Sequence, residues 1–301
     1  MLEKMKADIL FNQLLKRKDI NKAYAMVPPT DSWYDTITKV HQSLAEIQSL
    51  PHEDWSITSH DGLSLKAIYY PGNSDKTMIW IHGYTSHAER ESAYPGLFYR
   101  SLGFNVLIPY QRAHGPSEGK YITFGTLEQQ DMLRWVDKVN ELHPDGSIVI
   151  HGLSMGGGIV LDLACREMKN VKCLVADAPN DSIEMFFRNV SNHVFKKDGP
   201  KVLSCILERY RKEFGVDAAE FDRVKNIENC RYPLLLSAGE NEQLDEFFQR
   251  LEEADPMETV TVILPGCNHG NGMYKQTQLY QGAIEAFIQK HIVFGGQSCL
   301  N

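Results

Sequence analysis

The chain has 301 residues, 43% of them hydrophobic and 23% charged, the balance of a globular protein able to bury a sizeable core. Its net charge of −8 disfavours nucleic acid as a partner, because no basic stripe is available to neutralise phosphates. No apolar run approaches the ~20 residues of a membrane span, the Met1–Lys6 start lacks the apolar core of a signal peptide, and none of Cys165, Cys173, Cys205, Cys230, Cys267 and Cys299 forms a C-x-x-C pair. These features lead us to expect a cytoplasmic protein with free thiols, no structural zinc and no membrane partner.

Residues 1–50 are helical and polar. Ala7–Leu15 places apolar residues at helical spacing, Pro28-Pro29 breaks the pattern, and Thr30-Asp31-Ser32 is positioned to cap a second helix through Leu44 and Ile47. This leader shows no chemistry of its own; covering a sheet edge or making a homo-oligomer contact are its expected roles. From Glu53 the texture changes. Trp55–Ser59 and Leu63–Tyr70 alternate around His60-Asp61-Gly62, a hairpin pattern. A buried strand at Thr77–Ile81 follows, then a helix over Ala93–Leu102, a strand at Phe104–Ile108, a helix over Thr126–Leu142 and a strand at Ser147–Ile150. Further strands are expected at Cys173–Asp177, Pro233–Ser237 and Thr259–Leu264, and a last helix over Gln276–His291. Strands alternating with helices predict a mostly parallel α/β sheet covered on both faces, with the hairpin antiparallel at one edge. Between Asn180 and Cys230 the strand rhythm stops; this helical, aromatic-rich segment reads as an insertion over one end of the sheet.

The strongest chemical signal is Gly152-Leu153-Ser154-Met155-Gly156, a G-x-S-x-G turn between the Ser147–Ile150 strand and a helix. So tight a strand–turn–helix holds its serine in a strained conformation above the sheet and needs nearly side-chain-free flanks. A serine hydroxyl needs a base, the base needs an orienting acid, and the developing oxyanion needs donors. His269 is the expected base, in a glycine-bounded loop at the end of the Thr259–Leu264 strand. The acid is expected after Pro233–Ser237, among Glu240, Glu242 and Asp245; the local G-x-x-acid pattern favours Glu242, with Asp245 the fallback. Met155 is expected to give one oxyanion N–H and Tyr84, in the loop His82-Gly83-Tyr84, the other. His82 is expected to hold that loop rather than react.

In the order Ser154, Glu242, His269 the chain resembles the α/β-hydrolase superfamily over residues 53–292. The resemblance rests on His82-Gly83-Tyr84, Gln111–Gly119, Gly152–Gly157 and Pro265–Gly270. It implies an α/β-hydrolase fold: a mostly parallel eight-stranded sheet, strand two antiparallel, helices on both faces and a small helical lid after strand six, at residues 180–230. The core is then 51–179 and 231–292. The helical leader and the stretch Pro51–Gly62 are most similar to a bacterial, esterase-like group. The family usually has aspartate where this chain has Glu242. Its Arg112–Gly119 loop is mainly architectural.

The expected activity is serine-dependent hydrolysis of a small or medium acyl ester through an acyl-enzyme, with no metal or organic cofactor. Tyr84 and His87 are expected to line the entrance, and Met185, Phe186 and Phe187 to wall an apolar acyl pocket or merely dock the lid. Two other readings stay open: the same chemistry on a thioester or amide, including a short peptide, and a catalytically silent fold used for binding. Dehalogenase or epoxide-hydrolase chemistry needs a carboxylate nucleophile, and the turn carries serine.

Overall fold

A computed structural model describes residues 2–19, 27–218 and 221–292. The strands are β1 (Glu53–Thr58), β2 (Ser64–Tyr70), β3 (Lys76–Ile81), β4 (Asn105–Pro109), β5 (Ser147–Leu153), β6 (Val171–Asp177), β7 (Leu234–Gly239) and β8 (Thr259–Leu264). They form one eight-stranded sheet in the order β1-β2-β4-β3-β5-β6-β7-β8. β2 is antiparallel to both β1 and β4, and the pairs from β3 onward are parallel. Consecutive parallel strands cannot be joined by a tight turn, so helices cross over the faces.

The leader holds α1 (Leu2–Leu15) and α2 (Tyr34–Gln48). The expected Thr30-Asp31-Ser32 start is close: Asp31 Oδ1 accepts from the Trp33 N–H at 2.8 Å, one residue before α2. In the core lie α3 (Ala88–Ser101), α4 (Glu128–Leu142) and α5 (Met155–Leu163). Between β6 and β7 come α6 (Ile183–Phe195), α7 (Gly199–Phe214) and α8 (Arg223–Ile227), and the chain closes with α9 (Asp245–Ala254), α10 (Gly272–Lys275) and α11 (Thr277–His291). α3 starts five residues earlier than its apolar pattern suggested, because the His87 side chain accepts from the Arg90 N–H and caps it.

Alternate residues of each parallel strand feed two cores. Ile79, Ile81, Ile148 and Ile150 face α1, α4, α5, α9 and the insertion, while Met78, Trp80, Val149 and Val175 face α2, α3 and α11. The insertion is fastened behind the serine turn by a buried ion pair. Arg223 of α8 meets Asp162 of α5 at 3.0 Å, both inaccessible to solvent, and also donates to the carbonyls of Phe124, Gly158 and Asn180. Those extra acceptors satisfy the guanidinium that burial strips of water.

Backbone elements approach most closely around β5. A Cβ added to Gly156 would lie 1.9 Å from the Ile81 carbonyl oxygen, with no flexible atom able to yield. Gly282 in α11 has open space and no such constraint. Gly156→Ala is therefore expected to cost about 3 kcal/mol, the upper end of overpacking, or more. Gly282→Ala is expected to be neutral or to stabilise by about 0.5–1 kcal/mol through helix propensity. Chemical denaturation of the two variants beside the parent checks both signs.

Candidate active site

Every residue expected to do chemistry sits just past the carboxyl end of a strand, where open α/β sheets form their sites. Ser154 follows β5 with φ 60° and ψ −115°. Such a backbone costs a non-glycine residue ~1–3 kcal/mol and persists only where its surroundings force it. Here the Ser154 N–H donates to the Asp177 carbonyl at 2.8 Å and the Gly158 N–H to the Ser154 carbonyl at 2.9 Å. Gly152, Gly156 and Gly157 admit backbone atoms where any Cβ would stand 2.8 Å or less from a carbonyl oxygen. The turn thus projects the hydroxyl above the N-terminus of α5, with Met155 buried at its first position.

His269 reaches this hydroxyl from the loop after β8, with Nε2 2.9 Å from Ser154 Oγ. Its Nδ1 lies 2.5 Å from Glu242 Oε2. An ionised carboxylate only accepts, so Nδ1 carries the proton and Nε2 is left to accept from the serine. Glu242 closes a short 3₁₀ turn after β7; its side chain is 9% exposed and its other oxygen accepts from the Gly239 N–H at 2.8 Å. Asp245, the fallback acid, opens α9 and is exposed outside this chain of bonds. The two loops are tied together: the Gly266 N–H donates to Glu240 at 2.9 Å, and the Asn241 amide to the Asn268 side chain at 2.9 Å.

The loop after β3 completes the surroundings. His82 is buried, with Nδ1 2.9 Å from the Gly83 carbonyl and Nε2 accepting from the Gln111 N–H at 3.2 Å, contacts that hold the loop in place. A Cβ on Gly83 would stand 3.4 Å from the Ser154 Cβ, so the Gly83–Tyr84 backbone passes beside Ser154. The Tyr84 ring stacks on Phe124 at 4.9 Å, and its hydroxyl donates to the Leu14 carbonyl of α1 at 2.6 Å. Arg112 stays away from the site and bridges Asp131 at 2.7 Å and Asp61 at 2.9 Å. His60, Asp61 and Asp131 bring possible metal-ligand atoms within 4.8 Å of one another, but the guanidinium already neutralises both carboxylates.

A cavity of about 270 Å³ lies over Ser154. It is lined by Gly83–Ser86, Arg90, Glu91, Leu153, His269, Gly270 and Tyr274, and by Trp33, Thr36, Ile37 and Val40 of α2. None of His87, Met185, Phe186 and Phe187 lines it. His87 is occupied as the cap of α3. Phe187 is fully buried in the core, Met185 is 40% exposed on the outer side of α6, and Phe186 packs on Phe124 at 4.4 Å. The leader, expected to carry no chemistry, supplies one wall. Its helical spacing marked an apolar face but could not name what that face covers.

Three carboxyls surround the imidazole. The bond and charge of Glu242 raise the His269 pKa above its ordinary value, burial opposes, and the charges of Asp177 and Glu91 add to the rise. Asp177, at the end of β6, is pushed up to about 6 by burial although Ser237 and Tyr280 each donate to it at 2.9 Å. Glu91 was not legible as a site residue, because its stretch preceded the expected start of its helix.

The comparisons agree with this architecture. The model of the family described as serine aminopeptidase, S33, matches residues 72–214, a stretch that holds the His82–Tyr84 loop and Ser154 but stops before Glu242 and His269. Human monoglyceride lipase is 28% identical over 232 residues, 72% of this chain and 73% of that one. The uncharacterized protein YqkD of Bacillus subtilis is 33% identical over 118 residues, and the match spans 38% of its length. The structure of a Pyrococcus furiosus esterase superposes with a TM-score of 0.63 at 25% identity, covering 82% of this chain and 93% of that one. Sheet order, turn geometry and these likenesses define a hydrolase fold. It is the α/β-hydrolase fold, which the chain shares with these relatives. Among the described residues no helix is long and apolar enough to cross a membrane.

Because Glu242 is the largest cause of the raised His269 pKa, Glu242→Gln is expected to lower it, so that the ring loses its proton at lower pH than in the parent. Asp245→Asn is expected to leave it unchanged, since Asp245 opens α9 outside the hydrogen-bonded series and is not among the groups that raise the ring. NMR titration of the His269 ring in the parent and the two variants reads both.

Proposed function

We propose that this protein is a serine hydrolase that cleaves a small or medium acyl ester through an acyl-enzyme. The observation that carries the reading is the unbroken hydrogen-bonded series from Ser154 Oγ through His269 to Glu242, on the strained turn after β5. Ser154 attacks the ester carbonyl as His269 Nε2 takes its proton. Glu242 holds the ring in the required tautomer and stabilises the imidazolium. The Met155 and Tyr84 N–H groups receive the oxyanion, and His269 then protonates the leaving alcohol. Water, activated by the same histidine, releases the acid and restores the serine.

The size and lining of the cavity support a short acyl group. About 270 Å³ lies at the small end of ligand pockets, and Trp33, Ile37, Val40, Leu153 and Tyr274 give it an apolar side. The likeness to a monoglyceride lipase and to an esterase favours an ester. The name of the matching family model favours a second reading, cleavage of an amide at the end of a short peptide. The insertion of residues 180–230 would act as a lid only indirectly, through the packing of Phe186 against Tyr84 and Phe124.

A panel of p-nitrophenyl esters from acetyl to decanoyl, set beside aminoacyl p-nitroanilides, tests the reading. Esters are expected to be hydrolysed with a preference for short chains. Ser154→Ala and His269→Ala are each expected to lose at least about 10³-fold in kcat. Ile37→Trp, which fills the α2 side, is expected to lower kcat/KM for the hexanoyl ester at least about tenfold relative to acetyl, and Ile37→Ala to move the preference toward longer chains. A folded parent without turnover on any ester or anilide sinks the enzyme reading; turnover of anilides alone replaces the ester by the amide.

A further inference from the structure

One carboxyl in the cavity has no part in the mechanism above. Glu91 stands in the first turn of α3 and turns its side chain back toward the end of β3. Oε1 accepts from the Gly83 N–H at 2.9 Å and from Trp80 Nε1 at 3.1 Å, while Oε2 lies 3.1 Å from the same Gly83 nitrogen. The Ser86 hydroxyl lies against this carboxyl without closing a hydrogen bond of ordinary geometry. A Cβ on Gly83 would meet Glu91 Oε2 at 3.2 Å and Ser154 Cβ at 3.4 Å, so carboxyl, loop and nucleophile are immediate neighbours. Two residues on, Thr85 sits at φ 53°, a conformation that a β-branched side chain adopts only under constraint.

We propose that Glu91 is a positioning residue: its carboxylate clamps the Gly83 N–H and so aims the neighbouring Tyr84 N–H at the oxyanion, and protonation loosens the clamp. This rests on the reading of Ser154 as nucleophile. An anionic carboxylate is a stronger acceptor for the straddling Gly83 N–H than a neutral acid, which turns one oxygen into a donor. The loop then keeps its strained form without reorganising as charge develops.

The surroundings put this proton within reach of ordinary pH. Burial pushes the Glu91 carboxyl up to about 7, against the pull of Ser86, the Gly83 N–H, Trp80 and His269. The groups facing it are few. His269 comes from the loop after β8, Arg90 lies beside it on α3, and Tyr274 comes from α10; α2 presents Trp33, Thr36, Ile37 and Val40, which carry no charge. Because the folded-state pKa is raised, the neutral acid dominates below it and the clamp engages as pH rises through it. His269, its pKa raised by Glu242, must also lose its proton as pH rises, so both ionisations act in the same direction on the site.

The test is the pH dependence of kcat/KM for the acetyl ester in the parent, Glu91→Gln and Trp80→Phe, with the melting temperature of each. In the parent, the logarithm of kcat/KM is expected to rise with pH at a slope approaching two. In Glu91→Gln the slope is expected to fall to one and the plateau kcat by about 10–100-fold, with KM within about twofold, because the lost interaction acts on the transition state. Trp80→Phe removes one donor to the carboxylate and is expected to move one limb to higher pH; it carries the test if Glu91→Gln does not fold. A folded Glu91→Gln with the parent's slope and plateau overturns the proposal. So does a variant that is merely less heat-stable, or a Trp80→Phe profile that does not move. A parent without turnover removes the serine reading and the clamp with it, whereas an active parent with unaltered variants removes the clamp alone.

Discussion

The backbone of Ser154 is the constraint on which the site depends. At φ 60° and ψ −115° it occupies a conformation that an isolated chain would leave at once. It is held because β5 lies between β3 and β6, and because α5 begins without room for a single Cβ at Gly156. The Asp177 carbonyl at the end of β6 takes the Ser154 N–H, and the Ile81 carbonyl at the end of β3 abuts Gly156. Two neighbouring strand ends therefore fix the turn, and the loops that follow other strands arrive at a hydroxyl already in place. Strain here fixes position, and it brings the Ser154 hydroxyl within hydrogen-bond distance of His269 Nε2.

Charge around the imidazole is arranged with similar economy. Glu242, Asp177 and Glu91 surround His269 from the ends of β7 and β6 and from the start of α3. Only Glu242 touches the ring. Asp177 is buried under Ser237 and Tyr280, and Glu91 is tied to the loop after β3. Burial pushes the two carboxyls that do not touch the ring up to about 6 for Asp177 and about 7 for Glu91, so they lose their protons at higher pH than an ordinary carboxyl. The result is a site whose charge still changes with pH close to neutrality.

Much of this was legible in the sequence, for physical reasons that differ by residue. Glycines at 152, 156 and 157 beside a serine, after an apolar run, leave few backbone solutions, so the turn and its strand could be read directly. His269 and Glu242 could be placed because each follows a predicted parallel strand, and such strands end on one edge of the sheet. Glu242 and Asp245 could be separated only weakly, since three residues decide whether a carboxylate belongs to a turn or to the next helix. The pocket was not legible. Met185, Phe186 and Phe187 were apolar residues next to a strand end, and the structure spends them on the core, the outer surface and Phe124. The wall came instead from α2, whose spacing gave an apolar face without an address. Glu91 was missed because the polar start of α3 is capped by an imidazole, a weaker sequence signal than serine or aspartate.

The central claim is that Ser154 is a nucleophile activated by its place in the fold, and covalent trapping tests it most directly. The folded protein is treated with a fluorophosphonate and the adduct is located by peptide mass spectrometry. The account predicts one adduct per chain, on the peptide containing Ser154, formed more slowly in Glu242→Gln and absent in Ser154→Ala. A folded protein that forms no adduct, or carries it on another residue while Ser154 stays free, would contradict it.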